Sequence, residues 1–168
     1  MDQARVFRLA PLSQMYQSIT VVYSVLTVGL LIQPIMMQGR PSAFTAQPVG
    51  VILALLGAAV LLWFRPRRLE ADAGGLNLVW PLRRRRIPRE AILKAERLDA
   101  SDLGSLTRFG VGGLGGSFGR FRSSLRGWMD GYFTTQNNLV LLTLKDARPL
   151  LLSPADVTGF LAALGLKA

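Results

Sequence analysis

The sequence predicts a membrane protein: a two-helix transmembrane hairpin, then a mainly-β domain capped by a C-terminal α-helix. Three observations lead there. Residues 9–39 and 41–64 are uncharged and are separated only by Arg40. Short apolar or β-branched runs divided by turn residues fill residues 69–152. An amphipathic stripe with helix-start signals then closes the chain from Ser153 to Gly165.

Composition bounds the rest. The chain has 168 residues and a net charge of +10. Removing the apolar segments leaves residues 65–168, enough for one small domain. That part holds 17 Lys+Arg against 9 Asp+Glu. Cysteine and histidine are both absent. The chain therefore has no disulfide, no thiolate nucleophile and none of the commonest general bases or transition-metal ligands. No cofactor is expected, and no small-molecule substrate.

The hairpin is expected over residues 16–64, after a cytoplasmic N-terminal segment at 1–15. Its spans fall at about 16–37 and 46–64. Each is long enough to cross a hydrocarbon core of roughly 30 Å, which takes about 20 helical residues. Gln38, Gly39, Arg40, Pro41 and Ser42 supply the turn between them. A cleavable signal peptide fits poorly, because the apolar run is long and Phe44 occupies the minus-three position before Ala46. A soluble core hairpin fits poorly too, since neither helix offers a polar face to water.

Orientation follows from the basic residues near the helix ends. Arg5 and Arg8 precede the first span, Arg65, Arg67 and Arg68 follow the second, and Arg40 stands alone between them. Both termini are expected in the cytoplasm, at the inner membrane, with Tyr16, Trp63 and Phe64 as interfacial aromatics on that side. Gly50, Ala54 and Ala58 recur every fourth residue, with Gly57 beside them. Small residues let helices approach closely in lipid, here the first span or a neighbouring membrane protein. No intramembrane charge offers an ion pathway.

Pro66 stops the second helix, and strands begin at once, so the domain is expected to press against the bilayer. Segments 69–73 and 76–80 flank Gly74-Gly75, a two-residue hairpin signal. Residues 83–87 continue as a strand, Pro88-Arg89-Glu90 turns, and 92–98 is a strand or a short helix. After a glycine-rich stretch, 131–135, 139–144 and 149–152 read as strands. Ser153, Pro154 and Asp156 form a capping pattern before Val157, Phe160, Leu161 and Leu164, and Gly165 ends the helix.

Six or seven short strands closed by one helix resemble the plan of a pleckstrin-homology (PH) domain. The ordered set goes further: Gly75-Leu76, then Ile87-Pro88-Arg89-Glu90-Ala91-Ile92, a glycine-rich segment from Gly110 to Arg122 containing F-G-R-F-R, Tyr132-Phe133-Thr134-Thr135, Leu139-Val140-Leu141-Leu142, and Leu152-Ser153-Pro154 before Phe160. Over residues 65–168 the chain is similar to the bacterial PH-like domains, which are often fused after a pair of transmembrane helices. The resemblance implies a partly open β-barrel or sandwich capped by the helix, and it carries over no catalytic residue.

Three groups are candidate contacts. Arg83, Arg84, Arg85 and Arg86, with Arg65, Arg67 and Arg68, suit anionic lipid headgroups or an acidic partner. Alternation along a strand lets about half of the four-arginine run face one surface, and a solvated, charge-protected strand edge is the plainer alternative. Nucleic acid is not expected, because no aromatic interleaves with the run. Phe118, Arg120, Phe121, Arg122 and Trp128 make the glycine-rich stretch a candidate interaction loop, unless its aromatics fold back onto the core. Gly110 to Gly115 spells G-x-G-x-x-G but lacks the helix that a dinucleotide site needs. Gly50, Ala54, Gly57 and Ala58 are the third group, for helix packing. The scattered acidic residues Glu90, Glu96, Asp99, Asp102 and Asp130 form no site.

The expected function is a non-catalytic, membrane-anchored interaction module, an accessory or scaffolding subunit of a larger membrane complex. Its expected partners are anionic lipids and other membrane protein subunits. The rival is a component of a membrane enzyme or transporter with a site built from carboxylates and lysine.

Overall fold

The computed structural model describes residues 5–36 and 42–165. The expected turn at Gln38, Gly39, Arg40 and Pro41 lies outside them. The chain opens with a strand, β1 (Arg5–Phe7), before two long helices, α1 (Gln14–Met36) and α2 (Ser42–Phe64). Nine strands follow: β2 (Arg68–Asp72), β3 (Gly75–Val79), β4 (Arg84–Pro88), β5 (Ile92–Leu98), β6 (Leu106–Gly112), β7 (Ser117–Ser123), β8 (Gly127–Phe133), β9 (Leu139–Leu144) and β10 (Leu150–Leu152). Helix α3 (Val157–Ala163) ends the fold.

The strands form a four-stranded sheet in the order β1-β2-β3-β4 and a six-stranded sheet in the order β5-β9-β10-β8-β7-β6. Within the larger sheet β10 runs parallel to β8 and the other pairs are antiparallel. Alternation along the strands builds two apolar layers. Leu69, Leu76, Leu78 and Ile87 meet Val140, Leu142, Leu150 and Leu152 under Phe160 and Leu161 of α3 and its C-cap Leu164. On the other face of the large sheet, Phe121, Met129, Phe133, Leu139, Leu141 and Leu151 pack with Leu98 and Leu103. Strands β9 and β10 bury both faces, which is why they read as nearly continuous leucine and valine.

Strand β1 was not foreseen. Arg5, Val6 and Phe7 pair with Ala71, Glu70 and Leu69, so the segment before α1 belongs to the same sheet as the segment after α2. Continuing from it, Ala10 N donates to Ser153 O at 2.7 Å, and Ala155 N donates to Arg8 O at 2.9 Å. This holds residues 153–155 extended and moves the start of α3. The N-cap is Asp156, whose carboxylate accepts from Gly159 N, and not Ser153, whose hydroxyl accepts from Thr134 N at 2.9 Å. The first hairpin also shifts by one residue: Asp72 pairs with Gly75 across Ala73-Gly74. Gly75 sits at φ +132°, and a Cβ there would collide with Ile87 O.

The glycine-rich stretch is a hairpin, not a loop. Strands β6 and β7 pair along their whole length, from Leu106↔Ser123 to Gly112↔Ser117. Its glycine turn lies on the first turns of α1. Tyr16 hydroxyl hydrogen-bonds Ser117 hydroxyl, Gly115 N donates to Thr20 Oγ1 at 3.3 Å, and Ser13 N donates to Thr134 O at 3.0 Å. Tyr16, expected as an interfacial aromatic, is buried in that seam.

Among the described residues one helical segment, Gln14–Ile32, is long and apolar enough to cross a membrane, and Pro48–Val60 of α2 is a shorter apolar stretch. Most of Gln14–Ile32 is exposed, so it is not a core helix. The two helices meet through glycine. A Cβ on Gly50 would sit 3.0 Å from Leu30 Cβ, and one on Gly57 would overlap the Tyr23 ring. The Tyr23 hydroxyl donates to Leu53 O beside it. Of the expected small-residue stripe, Gly50 and Gly57 face α1, Ala54 is half-buried and Ala58 points outward. The stripe therefore serves contact within the chain, at seven-residue spacing.

Candidate functional site

The candidate site lies where α2 gives way to the first sheet. Trp80, at the end of β3, is buried, and its indole N–H donates to Phe64 O at 3.0 Å. This satisfies one of the carbonyls that a helix end leaves unpaired. Pro81 follows at the second position of a tight turn, a place that suits its fixed φ, and Trp80 N closes the turn on Arg83 O at 2.8 Å. Arg83 is thereby held over two indoles, its guanidinium carbon 4.4 Å from the Trp80 ring centre and 5.2 Å from that of Trp63. Leu82, at the turn's tip, is 71% exposed.

Arg67, Arg68, Arg83 and Arg84 surround a cleft of about 540 Å³ floored by Val79 and Trp80. Arg68 pairs with Glu70 at 2.8 Å. Among the described residues no carboxylate lies within ion-pair distance of Arg67, Arg83 or Arg84. Several guanidinium donors with aromatic and aliphatic walls can accept a phosphate or carboxylate group, and the bidentate fork of arginine fits either.

The arginine run is divided where the turn meets β4, Arg83 lying before the strand and Arg84 opening it. Arg83 and Arg84 line the cleft, Arg85 turns to Asp130 at 3.7 Å, and Arg86 is exposed opposite Asn77, close to the Gly74 turn. Arg65 is half-buried at the helix exit and does not line the cleft. Four of the seven expected basic contacts therefore converge.

The expected interaction loop comes apart differently. Phe118 and Phe121 are fully buried, one on each face of β7, and are core residues. Three positions apart on a strand, they face opposite ways, and both faces of this sheet are covered at that point. Arg120 and Arg122 are exposed, and Trp128 is half-exposed with its ring centre 5.0 Å from that of Phe109. Phe109, another aromatic of the glycine-rich stretch, completes that surface because β6 places it beside Trp128.

Most of the described carboxylates are occupied by structure, Glu90 and Asp146 being the exceptions. Asp72 accepts from Gly74 N, Asp99 and Asp102 make a capping box, Asp156 caps α3, and Asp130 meets Arg85. Glu96 takes Lys94 and Arg126, and its carboxyl is held below the usual range, chiefly by the Lys94 hydrogen bond. Among the described residues no group of three acidic, His or Cys side chains could hold a metal ion. One basic side chain missed as structural is Arg89, which donates to Leu164 O at 2.8 Å and to Ile92 O at 2.9 Å and so ties α3 to β5.

Two sheets closed by a C-terminal helix, with a basic cleft at one end and most carboxylates committed to caps and ion pairs, make a PH-type module joined to an apolar helix pair. Residues 67–168 match the family model described as Bacterial PH domain, and the chain belongs to that family. Bacterial PH domains are in general non-catalytic modules. No curated protein and no solved structure matches the chain.

Proposed function

We propose that the protein is a non-catalytic, membrane-anchored interaction module, an accessory or scaffolding subunit of a larger membrane complex. Two spans hold it in the inner membrane with both termini in the cytoplasm. The observation that carries the reading is the pairing of β1 with β2. The chain leaves the domain through α1 and returns to the same sheet through α2. If α1 crosses the bilayer, an even number of crossings is required, and α2 is the segment left to make the second.

The arginine cleft then falls at the headgroup level of the cytoplasmic leaflet, beneath the last turn of α2. Each arginine near an anionic leaflet adds about 1 kcal/mol of attraction. The cleft thus orients the domain, and Leu82 is the side chain placed to enter the interface. The rival, an enzyme or transporter component built on carboxylates and lysine, is weakened by the local duties of those carboxylates.

Purification of the full chain in mild detergent tests the subunit reading. Co-purification in fixed stoichiometry with a larger membrane assembly is the expected result. A lone, monodisperse species with measurable turnover would overturn it.

A further inference from the structure

The four sheet edges are not equally protected. Edge strand β1 is three residues long, and β4 carries Arg84, Arg85 and Arg86 and ends in Pro88. Edge strand β5 has a register shift between Ile92 and Lys94 and displays Lys94, Glu96 and Arg97. Short length, charge, proline and bulges are the usual means of blocking a free edge. Edge strand β6 has none of these beyond Arg108. It runs seven residues without a register shift, and Thr107, Arg108, Phe109, Gly110 and Gly112 are all exposed.

Both faces beside this edge are prepared for side chains. On one, two hollows of about 350 and 220 Å³ meet at Leu106, Phe133 and Gln136, with Arg108 and Phe121 lining the larger. On the other, Phe109 and Trp128 pack in a tilted ring contact, with Arg122 6.0 Å from the Trp128 ring centre and Arg120 across from Phe109. Among the described residues Arg108, Arg120 and Arg122 have no carboxylate partner.

We propose that β6 is a strand-addition site for an extended segment of a partner protein, one that alternates apolar and acidic side chains. Backbone pairing along β6 supplies the ladder, and because a strand alternates faces the apolar side chains enter the hollows on one side while the carboxylates meet Arg120 and Arg122 on the other. Charge argues against a second copy of this chain. Two β6 edges brought together would confront Arg108, Arg120 and Arg122 with their own counterparts, in a protein whose net charge is already +10. The proposal rests on the interaction-module reading, and its test is independent of any anionic lipid.

The test uses the full chain in zwitterionic nanodiscs and a synthetic nine-residue peptide of alternating Glu and Val. Hydrogen exchange is followed by mass spectrometry. The peptide is expected to protect amides of residues 106–112, and binding should weaken about tenfold or more when Lys replaces Glu. The same loss is expected when alternate peptide amides are N-methylated, which leaves the protein unaltered. Arg120→Glu with Arg122→Glu should weaken binding likewise. No protection at about 1 mM peptide, a concentration that still detects weak binders, would overturn the proposal. So would protection confined to other strands, or a dimer of the chain that Thr107→Pro dissociates.

Discussion

Arg83 rests on the Trp80 ring at 4.4 Å, while Trp80 itself is pinned to the end of α2 through its bond to Phe64 O. The cation is therefore positioned by the helix it adjoins, and its place in the cleft does not depend on the rest of the arginine run.

This separates arginines that the sequence presents as equivalent. Arg83→Gln and Arg84→Gln should each lower retention of anionic lipid by the full chain, by about 1 kcal/mol apiece. Arg86→Gln, outside the cleft, should change it little. Lipid co-purifying from nanodiscs of mixed composition, measured by native mass spectrometry, checks the contrast. Equal losses for Arg83 and Arg86 would show a diffuse charge effect and no defined cleft.

Topology can be read directly, because the chain has no cysteine of its own. Gln38→Cys should react with an impermeant maleimide added outside the inner membrane. Asp146→Cys, exposed in the turn between β9 and β10, should react only after permeabilisation. Labelling of both from one side would rule out the two-span arrangement.

Gly57→Leu forces a side chain into the Tyr23 ring and should cost about 1–3 kcal/mol, the usual penalty for overpacking. Ala58→Leu, one residue on and facing outward, should be close to neutral. Thermal unfolding of the detergent-solubilised chain distinguishes them. If Ala58→Leu instead releases a co-purifying subunit, that outer face of α2 docks onto a neighbour.

Arg89→Ala removes two charged hydrogen bonds and should cost about 1.5–3 kcal/mol. Arg89→Lys should rescue little, since one ammonium lacks the planar fork that reaches both carbonyls. Faster amide exchange in α3, ahead of the rest of the domain, is the expected signature.

Much of this architecture was legible in local pattern. Leu69, Leu76 and Leu78 alternate as a half-buried hairpin must, and Phe160, Leu161 and Leu164 fall on one helical stripe. What escaped reading depended on distant chain. Ser153 has every property of an N-cap, yet its hydroxyl is engaged by Thr134 and its backbone by Ala10. Phe118 and Phe121 sit among glycines and arginines that suggest a mobile loop, and only the strands on either side of β7 reveal that both rings are enclosed. Strand β1 is three residues, too short for any period, and its partner lies beyond two helices. Of the arginine cleft the composition was visible, but the convergence of Arg67 and Arg68 with Arg83 and Arg84 needed the pairing of β2 with β3 and β3 with β4.

The strand pairing that straddles the helices also sets a clock on biogenesis. Phe7 emerges from the ribosome 62 positions before its partner Leu69. At about 5–20 residues per second, β1 waits roughly 3–12 s for a sheet to join. If both helices span the bilayer as proposed, a misinserted one would leave β1 and β2 on opposite sides. Completion of the first sheet would then act as a proofreading step for insertion. A failed hairpin would strand a β2 edge open to proteases, whereas a correct one would conceal it.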